Sequence, residues 1–207
     1  MKIVVCIKQV PSTNQVRLHP ETNTLIRDSR ESVTNPFDTY AIEQAIQLKE
    51  RLGGEVVVLS MGIPATERLL RDALSRGADR GVLLTDAHFA GADTLATSYT
   101  LSLGIRKLAP VDLILCGKMA VDGDTAQIGP ELAEQLGIPH VTEVAQIQDI
   151  TDEMVVCDKT TDFGTQTLRS KLPALLTVVK DINLPRMPSI EGVLYGHYGP
   201  VDRKSVV

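Results

Sequence analysis

The strongest constraint on this chain is a repeated alternation between short apolar runs and longer segments with helical periodicity. The alternating segments, apolar first and amphipathic second in each pair, are 3–7, 38–52, 55–60, 64–75, 81–84, 93–108, 111–116 and 127–136. Short, nearly continuous apolar runs are typical of parallel strands that are covered on both faces. Because strands and helices that alternate along a chain form right-handed crossovers, the sequence predicts an α/β protein with a parallel sheet and helices on both faces.

The pattern changes after Pro139. The next strand-like segments, with no helix between them, are 141–147, 153–157, 164–170 and 175–179. Polar turn-like residues join them, which predicts an antiparallel extension of the sheet or a small edge sheet. Pro and Gly become frequent after this point, so we expect one domain at 1–182 and an irregular segment at 183–207. A small hairpin is expected around Glu21–Asn23.

Charge and cysteine usage exclude several classes of function. The formal net charge is −5, which argues against general binding to nucleic acid or to anionic membranes. The three cysteines and four histidines are scattered, and they share no ligand spacing, so we expect no metal site. No apolar run approaches the ~20 residues of a membrane-spanning helix. The first residues also lack the features of a signal peptide, which favours a cytoplasmic protein without membrane insertion.

A strand–loop–helix joint at 113–130 is the best candidate for a ligand site. Gly117 and Gly123 would let the backbone approach a phosphate, and free N–H groups at the helix start favour anions. The loop also contains two polar donors and two carboxylates, which are Thr125, Gln127, Asp122 and Asp124. Carboxylates repel phosphate unless they bind ribose hydroxyls or cap the helix. The alternative is an ordinary joint in which Asp124 is the helix N-cap.

Two further loops precede predicted helices. Asp93 would cap the helix at 93–108, and its first turns present the hydroxyls of Thr94, Thr97 and Ser98. The alternative for that loop is a capped surface helix. In the other loop, Pro36 restricts Asn35 to extended conformations, and Asp38 is able to cap the helix that follows.

The end of the first strand has no dinucleotide fingerprint. No GxGxxG follows it, which disfavours a dinucleotide-binding domain of that kind. Lys8 stands at the carboxyl end of this strand, where α/β proteins bind ligands. It either neutralises a phosphate or flavin, or is an exposed lysine without a role.

Several segments together resemble the β subunit of electron transfer flavoproteins. They are VVCIKQVP (4–11), NPFDTYAIEQAIQLKE (35–50), RDALSRGADR (71–80), GADTLATSYTL (91–101) and LILCGKMAVDGDTAQIGP (113–130). The family's C-terminal signature is matched by KTTDFGTQTLRSKLPALLT (159–177), although Phe163 and the preceding Cys157 depart from the usual residues. The resemblance implies a Rossmann-like fold of the adenine nucleotide alpha hydrolase-like type with C-terminal antiparallel strands.

The resemblance also implies a heterodimer with an α subunit that carries an electron-transferring FAD. Such a pair is an electron carrier rather than a stand-alone enzyme, and no side chain is expected to be catalytic. In ordinary members the β-subunit pocket holds a structural AMP. In electron-bifurcating members it holds a second FAD that NADH reduces, and the segments 91–101 and 122–130 are more similar to these.

The implied cofactor contacts follow from matching the family motifs to this sequence. They are Cys6, Asn35, Pro36, Phe37, Asp38, Met61, Gly62, Gly117, Lys118, Met119, Ala120, Val121, Asp122, Gly123, Asp124, Thr125, Ala126, Gln127 and Ile128. The residues implied near a second flavin are Asp93, Thr94 and Thr97.

The family docks partner dehydrogenases, among them those of the acyl-CoA dehydrogenase type, on the segment after the last strand. This corresponds to Ile182, Asn183, Pro185 and Arg186. Ile182 would be the apolar anchor, and the alternative is that it only covers the end of the sheet. The basic stretch and C-terminal arm of the family have no counterpart in the sequence up to Val207. Three hypotheses stay open: an FAD-containing redox subunit, an AMP-binding scaffold subunit, and a non-redox adenine-nucleotide-binding module.

Overall fold

The computed structural model describes residues 1–12 and 32–204, so the hairpin expected around Glu21–Asn23 lies outside the described residues. The strands in the described part are β1 (Lys2–Cys6), β2 (Gln9–Pro11), β3 (Ser32–Thr34), β4 (Glu55–Met61), β5 (Arg80–Leu84), β6 (Leu113–Gly117), β7 (His140–Ile150), β8 (Met154–Thr161), β9 (Gly164–Lys171), β10 (Ala174–Val178) and β11 (Val201–Lys204). The α-helices there are α1 (Pro36–Leu52), α2 (Glu67–Arg76), α3 (Thr94–Leu108), α4 (Ile128–Leu136) and α5 (Ile190–Tyr198). Short 3₁₀ turns occur at Pro64–Thr66, Ala87–Phe89 and Lys180–Ile182.

One large sheet organises the molecule. Its strand order is β11-β5-β4-β1-β6-β10-β7-β8-β9. Neighbours from β11 to β7 are parallel, and β8 and β9 continue the sheet as antiparallel strands. The short strands β2 and β3 pair separately. This arrangement confirms the predicted α/β class, and β8 and β9 form the predicted antiparallel extension.

Helices cover both faces of the sheet and bury a separate core on each. Alternate residues of each central strand belong to different cores: Ile3 and Val5 of β1 pack with α1 and α2, whereas Val4 and Cys6 pack with α3 and α4. This follows from the period of two along a strand, which sends successive side chains to opposite faces. Among the described residues, no helix is both long enough and apolar enough to cross a membrane.

Two expectations about the C-terminal part are wrong. The strands β7 and β10 are not antiparallel additions, because β10 lies between β6 and β7 and is parallel to both. The five residues of β10 are all buried, and only a position inside the sheet covers such a strand on both faces. The described part of the last segment, 183–204, is not irregular, because it contains α5 and the edge strand β11.

Glycines of α5 explain why that segment is helical and packed. A Cβ at Gly192 would lie 2.1 Å from the Ser75 carbonyl oxygen, and one at Gly196 would lie 2.6 Å from that of Arg71. Both acceptors belong to α2, so α5 contacts the backbone of α2 closely along a glycine face. The glycine content that indicated an irregular segment instead permits helix packing.

Candidate functional site

The site lies at the point where the order in which strands are added to the sheet reverses. From β1 the chain adds β4 and β5 on one side, and it then returns to place β6 on the other side of β1. In open α/β sheets, ligands bind in the crevice outside the carboxyl ends of the strands at such a switch point. Here those ends are Cys6 and Gly117, and the predicted ligand loop begins directly after Gly117.

Helix α4 begins at this crevice with its backbone donors available. Its N-cap position is Gln127, and no side chain among the described residues caps it. Asp124 therefore does not cap the helix, contrary to the alternative considered for this joint. Since the first N–H groups of a helix have no partner within the helix, an uncapped start is suited to an anion.

The backbone just before α4 adds to this tendency. Asp124 and Ala126 have φ angles of 50° and 53°, a region that costs free energy for residues other than glycine. Gln127 has helical angles, φ −93° and ψ −30°. A residue of positive φ followed by a helical residue aims successive N–H groups at one point, which is the geometry of an anion-binding nest. The side chains of Thr125 and Gln127 are exposed beside it.

Asn35 supports the loop from behind. Its Nδ2 donates to the Met119 carbonyl oxygen at 2.9 Å, and its Oδ1 accepts from the Val121 N–H at 3.1 Å. The residue is 1% exposed. Because its side-chain donor and acceptor are both used within the protein, the structure places Asn35 as a clamp on the loop.

Asp38 joins the ends of β1 and β6. Its carboxylate accepts from the Lys8 N–H at 2.7 Å and from the Gly117 N–H at 3.2 Å. It does not cap α1, whose start has no side-chain cap among the described residues. Burial raises the pKa of Asp38 to about 7, and the hydrogen bonds with Asn35, Lys8 and Gly117 oppose that rise.

Gly117 is required by the approach of α1. A Cβ there would lie 2.4 Å from Asp38 Oδ1 and 2.7 Å from the carbonyl carbon of Phe37. The glycine therefore admits the start of α1, including Pro36, against the end of β6. The glycine thus shapes the crevice, and the expected contact of its backbone with a phosphate stays a prediction.

The two lysines of the crevice are paired with carboxylates. Lys8 Nζ lies 2.7 Å from Asp122 Oδ1, and Lys118 Nζ lies 3.2 Å from Glu143 Oε1. The pairing explains why Asp122 is tolerated in a loop suited to anions. Neither lysine is a free counter-ion for a phosphate in this arrangement.

The start of α3 lies beside the start of α4. Asp93 caps α3 by accepting from the Ala96 N–H at 2.8 Å, as expected. Thr94 Oγ1 donates to Glu131 Oε1 of α4 at 3.1 Å. The other oxygen, Glu131 Oε2, is buried without a hydrogen-bond partner in the described part of the chain. Thr97 lies one turn further along α3 and is half-buried.

Buried thiols and β4 form the floor of the crevice. Cys6 and Cys116 are directly opposite each other on β1 and β6, and both are buried. The side-chain hydrogen bond between Cys116 and Cys6, together with burial, raises the pKa of Cys116 well above its usual range. Met61 packs against the same core. A Cβ at Gly62 would lie 2.5 Å from Thr66 Oγ1, so the chain turns tightly there.

The structure thus brings together nearly all of the residues predicted for the cofactor, and it divides them by role. The loop 121–128 and the starts of α3 and α4 face outward, whereas Asn35 and Asp38 act within the protein. Sequence reasoning missed Glu131 and Cys116, and the only signal was their position in the strand and helix next to the loop. A nucleotide fits this crevice for two reasons. The nest would bind its phosphate, and a sugar hydroxyl would donate the hydrogen bond that Glu131 Oε2 lacks within the described protein.

The expected docking segment is bound to α1. Arg186 forms ion pairs with Glu43 and Glu50 at 2.9 Å and 2.5 Å, and Asn183 donates to the Tyr40 carbonyl oxygen at 3.0 Å. Ile182 packs partly buried against the core, next to the half-buried Pro185. The exposed apolar residues of this segment are Leu184 and Met187, at 87% and 82% exposure.

These features define a doubly wound, Rossmann-like α/β protein with an anion-suited helix start at its switch point. The chain belongs to the electron transfer flavoprotein domain family, whose model matches residues 22–202. It is 49% identical over 193 residues to an electron transfer flavoprotein subunit beta of Thermoanaerobacterium thermosaccharolyticum, covering 93% of this chain and 74% of that protein.

Two further relatives have different printed names. The chain is 45% identical to Protein FixA of Bradyrhizobium diazoefficiens, covering 94% of this chain and 69% of that protein. It is also 45% identical to subunit CarD of the caffeyl-CoA reductase-Etf complex of Acetobacterium woodii, covering 97% of this chain and 77% of that protein. The family is therefore that of the electron transfer flavoprotein β subunits and FixA proteins.

Proposed function

We propose that this chain is one subunit of a heterodimeric electron carrier and that its switch-point crevice holds an adenine-containing cofactor. The observation that carries the proposal is the uncapped start of α4 behind Ala126, whose positive φ aims backbone donors at one point. The partner would be an α subunit, as the names of the β-subunit relatives indicate, and the resemblance implies that this subunit carries its own FAD.

FAD is the cofactor that we propose for the crevice, with AMP as the alternative. Two features support FAD rather than AMP. The segments 91–101 and 122–130 resemble those of electron-bifurcating members of the family, and the start of α3 lies beside the start of α4. A bound FAD would accept an electron pair, which comes from NADH in this proposal, and it would release the electrons one at a time.

The protein's own residues would hold and orient the cofactor. The N–H groups at 126–128 would bind its phosphates, and Thr125 and Gln127 would add side-chain donors. Glu131 Oε2 would accept from a sugar hydroxyl. The buried Cys6 and the partly buried Met61 would exclude water from the inner edge of the crevice.

Redox partners would dock near the segment after β10. Leu184 and Met187 are its exposed apolar residues, and such side chains are suited to a small transient interface. Ile182 and Arg186 would instead hold this segment against the core and α1. The redox partners would be dehydrogenases of the acyl-CoA dehydrogenase type or other redox proteins.

The cofactor content of the purified heterodimer tests the proposal. The chain is co-expressed with its α subunit, and the absorption spectrum is combined with chromatography of the released nucleotides. Two FAD per heterodimer is the expected result. One FAD with one AMP would instead indicate that this chain is an AMP-binding scaffold subunit. Absence of any nucleotide from this chain would overturn the proposal that the crevice binds one.

A charge substitution tests whether α4 binds the phosphate. Thr125→Glu places a carboxylate at the uncapped helix start, where it would satisfy the N–H groups and repel phosphate. We expect retained nucleotide to fall at least tenfold, measured by chromatography after denaturation. Thr165→Glu, on an exposed position of β9, is the matched control and should leave the nucleotide content unchanged.

A further inference from the structure

A second groove lies on the face of the sheet that carries α3, at the edge away from the β8–β9 extension. On β5, Val82 and Leu84 pack into the core beneath α3. Asp202 and Lys204 of β11 are opposite these two residues, so they point to the same face of the sheet. The resulting groove between α3 and β11 has a volume of about 300 Å³.

The walls of this groove are strongly cationic. Its charged lining residues are Lys2, Arg80, Lys107, Lys204 and Asp202, four cations against one carboxylate in a chain whose net charge is −5. Positive charge concentrated in a cleft attracts small anions. Val82, Leu84 and Gly104 close the groove on its inner side, and all three are buried, so they offer almost no surface to a ligand.

The four cations differ in how far they are paired within the protein. Lys2 is paired, because its Nζ lies 3.5 Å from Glu55 Oε2 and donates to the Leu108 carbonyl oxygen at 2.8 Å. Arg80 Nε is buried and has no hydrogen-bond partner among the described residues. The carboxylates nearest to the Arg80 guanidinium, on Glu55 and Asp202, are 3.5 Å and 3.8 Å away. In the part of the chain that the structure describes, the side chains of Lys107 and Lys204 contact no carboxylate. A guanidinium with two lysines beside it is a donor set suited to the oxygens of a phosphate or carboxylate.

We propose that this groove binds a small anion through a phosphate or carboxylate group. The cationic walls would hold the oxygens of that group. The groove lies apart from the crevice at Gly117, so this inference does not depend on the nucleotide assignment.

Calorimetric titration of the purified heterodimer with phenyl phosphate tests the site. We expect saturable binding with an affinity close to that of inorganic phosphate, because the charged walls supply the contacts with the phosphate oxygens. A tenfold or greater preference for phenyl phosphate would contradict recognition through the phosphate alone, and no saturable binding of either probe would overturn the site. Saturating AMP should leave the affinity unchanged, whereas competition would assign the probe to the crevice.

Matched substitutions locate the binding. Lys107→Gln and Lys204→Gln alter exposed lysines without carboxylate partners, so the fold should tolerate them, and each should weaken binding three- to tenfold. Arg80→Gln should weaken it further. Lys171→Gln, an exposed lysine on the opposite edge strand β9, should have no effect. If all four variants bind phenyl phosphate equally well, the groove is not the site.

Discussion

At the scale of single residues, Asp38 shows how one side chain can shape a candidate site through backbone contacts. The carboxylate is buried and holds β1 and β6 together through two backbone N–H groups. Burial raises its pKa from 3.8 to about 7, so the folded protein keeps a proton there that the unfolded chain releases.

This shift predicts a measurable pH dependence. The stabilisation that the fold gains from the raised pKa of Asp38 is complete below pH 4. It is lost as the pH rises through about 7. Relative to Asp38→Asn, which cannot titrate, the free energy of unfolding should fall by about 4 kcal/mol between pH 4 and pH 8. Urea unfolding of both proteins across this range measures the difference. Parallel pH profiles would contradict the assignment.

The buried thiols give a second prediction at this scale. Burial and the contact with Cys6 raise the pKa of Cys116, and burial raises the pKa of Cys157 to about 11. Since the thiolate is the reactive form, neither thiol should react with Ellman's reagent at pH 8 in the native protein. Both should react on unfolding in guanidinium chloride, and rapid reaction of either in the native state would refute this.

At the scale of secondary-structure elements, two contacts fix the C-terminal part of the described chain. Arg186 ties the segment after β10 to Glu43 of α1, whose side chain is 5% exposed. The hydrogen bonds of Arg186 lower the pKa of Glu43 against the opposing effect of burial. Helix α5 then packs on α2 through its glycines. These contacts leave Ile190, Val193, Leu194 and Tyr198 of α5 exposed.

The glycine contact between α5 and α2 is testable. Gly192→Ala would place a methyl group 2.1 Å from the Ser75 carbonyl oxygen, so α5 would have to move away from α2. We expect a loss of about 2 kcal/mol in the free energy of unfolding, as is usual for overpacking. Gly123→Ala is the control, because a Cβ there meets nothing within 4 Å. Equal stability of the two variants would show that the helices are not closely packed.

At the scale of the whole molecule, the sheet places three helix starts and two strand ends around one crevice. A ligand held there would contact elements that are distant in sequence, and it would stabilise only the folded state. At 100 times its dissociation constant, such a ligand adds about 2.7 kcal/mol to the free energy of unfolding.

Hydrogen exchange should therefore respond locally to AMP. Adding AMP to nucleotide-free protein should slow exchange in the loop 118–127 and at the starts of α3 and α4. The β8–β9 hairpin lies at the far edge of the sheet and should be unaffected, which makes it an internal reference. Uniform slowing throughout the chain, or none, would contradict the placement of the site.

The sequence by itself determined the fold class, the sheet edge that carries the site and the family, because each depends on local periodicity or on contiguous motifs. Tertiary structure decided what these motifs could not: that β10 enters the sheet between β6 and β7, and that 183–204 is folded. It also decided that Asp38 and Asn35 support the loop, that Lys8 pairs with Asp122, and that Glu131 completes the crevice. The physical reason is that hydrogen bonds, ion pairs and buried contacts between segments far apart in sequence depend on packing, and no local pattern records them.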